Sequence, residues 1–197
     1  LRLDRTTYYA SPRHPSGAVE PKAIAHARQT LRLYGRVGGF DQLPAAHTIA
    51  RMMPWALAHR DTAQILEATR QLIGLGRGLT PSGDDFLVGC LRGLWLTRHH
   101  VPGVGQMLDP VREALQPTIE ARTTRVGAEF IRYALDGAFA EVLDQATLAL
   151  LTPAHPQVLQ SAITGLLAQG DTSGTDTLIG LLTCLDGGCR EPFASVP

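Results

Sequence analysis

Residues 74–89 read GLGRGLTPSGDDFLVG, a glycine-rich polar loop that leads into an apolar run with helical spacing. Part of this segment returns near the C-terminus, because SGDDFLVGCL at 82–91 and SGTDTLIGLL at 173–182 share the pattern S-G-x-D-x-L-x-G-x-L. A loop that opens a helix directs unpaired backbone N–H groups outward, and such a group of donors suits a small anion. The two copies together predict a two-sided binding site.

The composition is that of a compact protein and excludes several function classes. The chain has 197 residues, of which 44% are hydrophobic and 18% charged, and its formal net charge is zero. This balance gives no general reason to expect nucleic acid or an anionic membrane surface as a partner. Three cysteines cannot form a disulfide framework, and Cys90 and Cys184 fall within apolar runs. Without a signal peptide or a membrane-length apolar run, a reducing cytoplasm is the expected location.

Helical spacing of apolar residues dominates the chain after residue 20, so the expected fold is mainly α, with about eight packed helices. It would include two pseudo-repeated glycine-rich loop–helix units. Pro21 suits the first turn of a helix that ends near Tyr34. Breaks are expected near Pro54, and at Pro110 and Pro117. The expected helices cover 21–34, 42–53, 62–73, 84–98, 106–116, 122–135, 138–150, 156–168 and 175–187.

The N-terminal segment, residues 1–20, is expected to be extended or irregular, with a strand over 1–9 that ends before Pro12 and Pro15. Since the chain begins at Leu1 without a methionine, we interpret this segment as the remnant of a further N-terminal domain. Residues 21–197 are assigned to one helical domain.

Two interpretations of the serines and aspartates in the motifs remain open. Ser82 with Asp85, and Ser173 with Asp176, have the S-x-x-D spacing of a capping box, in which serine caps the helix and the acid reaches back. Capping alone does not require Gly74, Gly76, Gly78 and Gly83 within ten residues, whereas close approach of a ligand to the backbone does.

Chemistry beyond capping is suggested by the remaining polar residues of the first loop. Arg77 adds a cation and Thr80 a hydroxyl. Asp84 is left over from the capping box. It is a candidate to bind Mg²⁺, together with Asp85 or Asp176, or to orient a substrate amide together with Asp176. No cofactor is required by these patterns. The spacing of Gly78 and Gly83 resembles a P-loop, but Asp84 stands where lysine is needed, so a nucleotide-binding fold is not expected.

A third polar cluster, TTR at 123–125, opens a helix between the two motifs. Arg125 either pairs with Glu129 on the surface or, with Thr124, binds a carboxylate or phosphate. Ser82 is not in a G-x-S-x-G elbow and no histidine partner can be named, so catalytic residues remain unassigned. The candidate binding residues are Gly76, Arg77, Gly78, Thr80, Ser82, Gly83, Asp84, Asp85, Thr124, Arg125, Ser173, Gly174 and Asp176.

Three segments, in the same order, resemble the motifs of the AllH-like family, long catalogued as a domain of unknown function: 74–89, 123–125 and GDTSGTDTLIG at 170–180. The resemblance covers roughly residues 65–185. It implies a subunit of the oxamate carbamoyltransferase of allantoin degradation and purine catabolism. That enzyme converts oxalurate and phosphate into oxamate and carbamoyl phosphate. Arg77 stands where a smaller residue or proline is expected, and Asp171 where histidine is expected.

The resemblance also implies a hetero-oligomer with two other subunit types and a small anionic substrate, without nucleic acid or membrane. Carbamoyl transfer needs two anions held in reacting geometry and donors placed where negative charge develops. Two further hypotheses remain open. In one, the chain is a non-catalytic assembly subunit whose glycines serve helix packing. In the other, it is a free-standing small-anion binding protein of nitrogen metabolism.

Overall fold

The computed structural model describes residues 17–59, 61–98, 104–152 and 155–185. Within these ranges the chain forms nine α-helices, one 3-10 turn at Phe40–Gln42, and no strand, which confirms the mainly α class. The predicted strand at 1–9 lies outside the described residues. The helices are α1 Pro21–Tyr34, α2 Pro44–His59, α3 Thr62–Leu72, α4 Ser82–Thr97, α5 Val104–Arg122, α6 Arg125–Leu135, α7 Glu141–Leu151, α8 Pro156–Leu167 and α9 Ser173–Leu185.

The interruptions expected at three prolines are wrong. Pro54 lies inside α2, and Pro110 and Pro117 lie inside α5. An internal proline costs about 3 kcal/mol because it removes one helical hydrogen bond and crowds the preceding turn. Both helices continue because each presents an apolar face to the core, namely Ile49, Ala50, Met53 and Ala56 from α2 and Val111, Leu115 and Ile119 from α5.

Helices α4 and α9, which carry the two copies of the motif, form the centre of the fold. Helices α3, α5 and α6 pack against α4, while α1, α2 and α8 pack against α9. The central pair approaches closely at two glycines: a Cβ at Gly89 would overlap the carbonyl oxygen of Thr177, and one at Gly180 would overlap that of Phe86. The glycines of the shared pattern therefore allow backbone-to-backbone contact between the two motifs.

A buried ion pair joins α4 to α7. Arg92 and Asp144 are each 1% exposed, and a guanidinium nitrogen lies 3.0 Å from a carboxylate oxygen. The Arg92 guanidinium also lies 5.0 Å above the centre of the Phe139 ring. Because a buried charge without its partner is costly, this pair fixes α7 and the segment before it against α4.

The two cysteines within the described residues, Cys90 and Cys184, are both buried free thiols. Cys90 donates to the carbonyl oxygen of Gly180 at 3.3 Å, so it lies in the contact between α4 and α9. Across the described ranges, no helix has both the length and the apolar character needed to cross a membrane.

Candidate functional site

The loop between α3 and α4 is shaped by three glycines with left-handed backbone. Gly74, Gly76 and Gly78 have φ values of +75°, +115° and +98°, a region that other residues rarely occupy. A Cβ at Gly74 would also overlap the carbonyl oxygen of Arg122. These glycines therefore let the loop fold back over the start of α4 and against the end of α5.

Asp84 is buried, and the chain itself engages both of its carboxylate oxygens. Oδ1 accepts the N–H of Gly74 at 2.7 Å, and Oδ2 accepts the hydroxyl of Thr123. Gly127 of α6 lies directly against Oδ2. Burial raises the pKa of Asp84, and these two hydrogen bonds oppose the rise. Asp84 thus connects the first loop to the junction between α5 and α6.

Asp176 is engaged in a similar way at the start of α9. Its Oδ1 accepts the N–H of Phe40 at 2.8 Å, and its Oδ2 accepts the hydroxyl of Thr172 at 3.0 Å. Burial raises the pKa of Asp176 against these hydrogen bonds. The Phe40 ring stacks on Phe86 of α4, with centroids 4.2 Å apart. The segment between α1 and α2 therefore closes over both motifs.

The two serines of the motif act across the central helix pair. The hydroxyl of Ser82 lowers the pKa of Asp176, and the hydroxyl of Ser173 lowers the pKa of Asp85. Of the two interpretations of these residues, the capping box does not hold at the first motif, because Ser82 is the first residue of α4 and not its N-cap. Pro81 occupies the N-cap of α4 and makes no side-chain cap bond. The motif thus joins the two helix starts to each other.

Asp85 differs from the other two aspartates of the junction. It is 9% exposed, and burial is the main cause that raises its pKa from 3.8 to about 7. Hydrogen bonds from Ser173 and Thr80 lower that pKa, while the neighbouring Asp176 and Asp84 raise it. Its Oδ2 is buried without a hydrogen-bond partner among the described residues. Burial thus favours the protonated form of Asp85 relative to a free carboxyl, and one of its oxygens has no hydrogen bond.

A cavity of about 430 Å³ opens beside Asp85 between α4, α6, α7 and α9. Its polar lining comes from Thr80, Asp85, Gln169, Ser173 and Thr177. Its apolar lining includes Val88, Phe130, Tyr133, Phe139, Leu143 and Leu166. Thr80 and Ser173 lie 3.0 Å apart, hydroxyl to hydroxyl, so the two loops meet at its edge. A largely apolar cavity with a few convergent polar groups is typical of a small-molecule site.

Several of the backbone N–H groups expected to bind an anion already have partners within the chain. Gly83 donates to the carbonyl of Leu75, and both Asp84 and Asp85 donate to that of Pro81. At the second motif, Gly174 donates to Gln169 and Asp176 to Thr172. A ligand at the junction would therefore meet side-chain hydroxyls and Asp85 before it met these amides.

The two arginines of the predicted site lie on the surface. Arg77 and Arg125 are exposed and form no ion pair within the described residues. Of the two interpretations of Arg125, the surface pair with Glu129 does not form, and Glu129 instead pairs with Arg132 at 2.8 Å. Thr124 caps α6 by accepting the N–H of Gly127 at 3.0 Å, and it donates to the carbonyl of Leu79. The start of α6 is thereby held against the first loop.

The family model for the oxamate carbamoyltransferase subunit AllH matches residues 72–185. The match spans both motifs, the TTR cluster and every helix that lines the cavity. The chain belongs to the AllH family. No solved structure matches it.

The two residues that differ from those expected in the motifs, Arg77 and Asp171, lie outside the cavity. Arg77 is exposed on the first loop. The Asp171 side chain is fully exposed, and its carboxylate lies 3.9 Å from Arg36, which also donates to the carbonyl oxygen of Gly170 at 2.9 Å. Neither side chain contributes to the lining.

No group of three His, Cys, Asp or Glu residues suited to a metal occurs among the described residues. Sequence reasoning missed Phe40, which precedes the family match and yet binds Asp176. It also missed the apolar walls contributed by Phe139 and Leu143. Among the apolar lining residues, only Phe130 and Tyr133 could have been found from the sequence, because they lie one turn apart in a predicted helix.

Proposed function

We propose that this AllH chain is a subunit of an oxamate carbamoyltransferase-type complex, in which oxalurate and phosphate are converted into oxamate and carbamoyl phosphate. The chain would work with other subunit types in the reducing cytoplasm, in the degradation of allantoin. The observation that carries the proposal is the family match, which covers both motifs and the cavity at their junction.

Within this proposal, the loops 74–85 and 170–176 bind the small anionic substrate. Each of the four reactants carries an anionic group, and all but phosphate also carry an amide or carbamoyl group. The hydroxyls of Thr80 and Ser173, at the edge of the cavity, would exchange their mutual hydrogen bond for bonds to the substrate, and the exposed Arg77 and Arg125 would attract its charge. Carbamoyl transfer depends mainly on positioning and electrostatic stabilisation. A pair of loops held rigidly by Asp84 and Asp176 suits that task.

A specific observation favours the second candidate, a non-catalytic assembly subunit. Gly83, Gly89, Gly174 and Gly180 each lie against a backbone carbonyl of a neighbouring helix, where no Cβ would fit. These four glycines have a packing role that needs no ligand. Helix α6 also leaves Val126, Phe130 and Tyr133 at least 39% exposed. A partner subunit would bury such a surface.

A thermal-shift titration separates the two candidates. The isolated chain is titrated with carbamoyl phosphate, phosphate, oxamate and oxalurate, each with and without Mg²⁺. A ligand that binds only the folded state raises Tm in a concentration-dependent way. We expect a rise with at least one of the four and a smaller rise in Ser173→Ala. Gly165→Ala is the matched control, because Gly165 lies in α8 with open space around it.

Co-purification with the other subunit types completes the test. If the chain enters the complex but shows no Tm rise with any of the four compounds, either alone or in the complex, the assembly role is correct. If the chain neither enters the complex nor binds any compound, both candidates are wrong. A rise in Tm that requires Mg²⁺ would support metal binding by Asp84 and Asp85.

A further inference from the structure

Helix α6 carries large apolar side chains on its exposed surface. Val126, Phe130 and Tyr133 follow one another at intervals of four and three residues, so they share one helix face. They are 39%, 44% and 57% exposed. Leu79 of the first loop is 73% exposed, and its carbonyl oxygen accepts the hydroxyl of Thr124 just before α6. We call Leu79, Val126, Phe130 and Tyr133 the apolar strip. Exposed apolar residues grouped in this way mark interaction sites, whereas single ones are ordinary.

The apolar strip continues into the cavity at the junction of the two motifs. Phe130 and Tyr133 line the cavity from α6, and Val142 and Leu143 line it from α7. Since Phe130 and Tyr133 belong to the lining and are also about half exposed, they stand at its opening. A side chain of a molecule that covers the strip can therefore enter the cavity between α6 and α7.

The lining decides what kind of group enters. None of the lining residues is Lys, Arg or His, and Asp85 supplies the one carboxyl. The hydroxyls of Thr80 and Ser173, at the edge, bond to each other. An anionic group would meet no cation, and a cationic group would meet only Asp85, whose burial favours the neutral form by raising its pKa. Because a charge that loses its hydration without a partner is costly, the entering group is apolar.

The extent of the apolar surface favours a protein over a small molecule. Leu79 and Val126 are not part of the lining, so a small molecule inside the cavity would leave both exposed. A protein segment covers the strip and fills the cavity together. A pocket that receives one apolar side chain, with aromatic rings at its rim, is the usual form of a binding hot spot. The exposed Leu33 and Val37, near the end of α1, do not line the cavity.

Uncompensated positive charge lies at the end of the strip near the first loop. Arg77 on that loop and Arg125 at the start of α6 are exposed, and neither forms an ion pair within the described ranges. By contrast, the acidic Glu129 of α6 is already paired with Arg132 at 2.8 Å. A surface that covers this end of the strip is complementary when it presents an acidic side chain.

We propose that the apolar strip and the cavity form the docking surface for another subunit of the complex, which inserts one large apolar side chain beside Phe130, Tyr133 and Leu143 and places an acidic side chain near Arg77 and Arg125. The inference rests on the proposed function in taking the chain as one subunit of a complex. It adds the face through which the chain joins that complex. Since Thr80 and Ser173 lie at the edge of the same cavity, the docked subunit also closes the junction of the two loops.

Binding between purified subunits tests this. Each of the other subunit types is titrated with this chain by calorimetry at physiological ionic strength. Replacing both rings, Phe130→Gln with Tyr133→Gln, should raise the Kd for one subunit type roughly 30-fold or more, as for a hot spot. The matched control is Val158→Gln, because Val158 of α8 is 57% exposed, as Tyr133 is, and lies outside the lining. Its Kd should equal that of wild type.

Two further variants test the cavity and the charge separately. Ala138→Leu places a larger side chain in the lining and leaves the strip intact, and it should raise the Kd roughly tenfold. Arg125→Glu should slow association, and the effect should fade at high salt. Arg32→Glu, at an exposed position of α1, is the charge control and should leave association unchanged. Circular dichroism establishes that each variant is folded, and the exposed ring substitutions carry the test if Ala138→Leu does not fold.

Three results would overturn the proposal. One is a Kd that is unchanged by the two ring substitutions, and another is an unchanged Kd in Ala138→Leu. The third is a dimer of this chain alone that the ring substitutions dissociate in sedimentation velocity, because a second copy would then cover the strip. In the first two cases the chain still enters the complex, through another face, and the proposed function stands. If wild type binds none of the other subunit types, the complex itself is contradicted as well.

Discussion

The hydroxyl of Ser82, at the start of α4, lies near the carboxyl of Asp176, at the start of α9, and lowers its pKa. Ser173, at the start of α9, lowers the pKa of Asp85 on α4 in the same way. Further along the same helices, Gly89 lies against the carbonyl of Thr177 and Gly180 against that of Phe86. The shared pattern S-G-x-D-x-L-x-G is therefore used twice, and in each use its serine and its glycine contact the other copy. Residues that resemble local helix caps in the sequence are tertiary contacts in the structure.

The close contact of α4 and α9 predicts a strong effect of small substitutions. Gly89→Ala and Gly180→Ala should each lower the free energy of unfolding by about 2 kcal/mol or more, because the new methyl group meets a backbone carbonyl that cannot rotate away. Urea unfolding followed by circular dichroism measures this. Gly165→Ala has open space around it and should be neutral or stabilise by up to about 1 kcal/mol. Equal effects at all three positions would contradict the packing described here.

Asp84 should tolerate asparagine better than alanine. Asparagine can still accept from the N–H of Gly74 and can donate its amide to the hydroxyl oxygen of Thr123. Asp84→Ala leaves both groups without a partner and should cost about 2–4 kcal/mol in the free energy of unfolding. Asp84→Asn should cost less than about 1 kcal/mol. The comparison is again made by urea unfolding, and an equal loss in both variants would rule out these hydrogen bonds as the role of Asp84.

Asp85 should make the protein less stable as the pH rises. Its pKa is 3.8 as a free group and about 7 in the folded chain, so between these values unfolded molecules are ionised and folded ones remain protonated. The unfolded state then binds fewer protons, and the free energy of unfolding falls with increasing pH. At about 1.4 kcal/mol per pKa unit, the loss from pH 4 to pH 8 reaches about 4 kcal/mol at most.

The Asp85→Asn variant isolates this contribution. Its stability relative to wild type should increase steadily from pH 4 to pH 7 and then level off, as measured by urea unfolding at a series of pH values. A stability difference that stays constant across this range would show that Asp85 is not held in its protonated form by the fold.

The Arg92–Asp144 pair should be sensitive to removal of one partner. Asp144→Ala leaves a guanidinium buried without its carboxylate and should cost about 3–5 kcal/mol in the free energy of unfolding. The same change should loosen Phe139 and Leu143, since α7 is fixed to α4 by this pair. Urea unfolding measures the first effect, and amide hydrogen exchange of α7 measures the second. A loss below about 1 kcal/mol would mean that the pair contributes little to fixing α7.

Helix positions were predictable where one local signal decided them, and not where packing overrode a local rule. The apolar spacing after Pro21 and within 156–167 placed α1 and α8 closely. Pro54 and Pro117 looked like ends of helices, because the sequence shows the lost hydrogen bond and does not show the apolar face that compensates for it. The start of α4 was placed two residues late for a related reason: Ser82 resembles a cap.

The sequence indicated which loops form the candidate site, but it did not indicate which side chains line the cavity. The repeated motif drew attention to Ser82 and Ser173, which lie at the starts of α4 and α9. Asp84 and Asp85 are adjacent residues of the same type, so the sequence does not show that their environments differ. In the structure Gly74 and Thr123 hydrogen-bond the Asp84 carboxylate, whereas Asp85 lies near Ser173 and lines the cavity. Those neighbours are remote in the chain, and so are the apolar walls.

Reconstituted carbamoyl transfer is the measurement that tests the central claim most directly. The complex is assembled with the other subunit types and with this chain as wild type, Ser173→Ala or Gly165→Ala, and the formation of carbamoyl phosphate from oxalurate and phosphate is followed. We predict turnover with wild type and Gly165→Ala, a clear loss when the chain is omitted, and a higher KM for oxalurate with Ser173→Ala. Full turnover without the chain, or with an unchanged KM in Ser173→Ala, would contradict a ligand site at the junction of the two motifs.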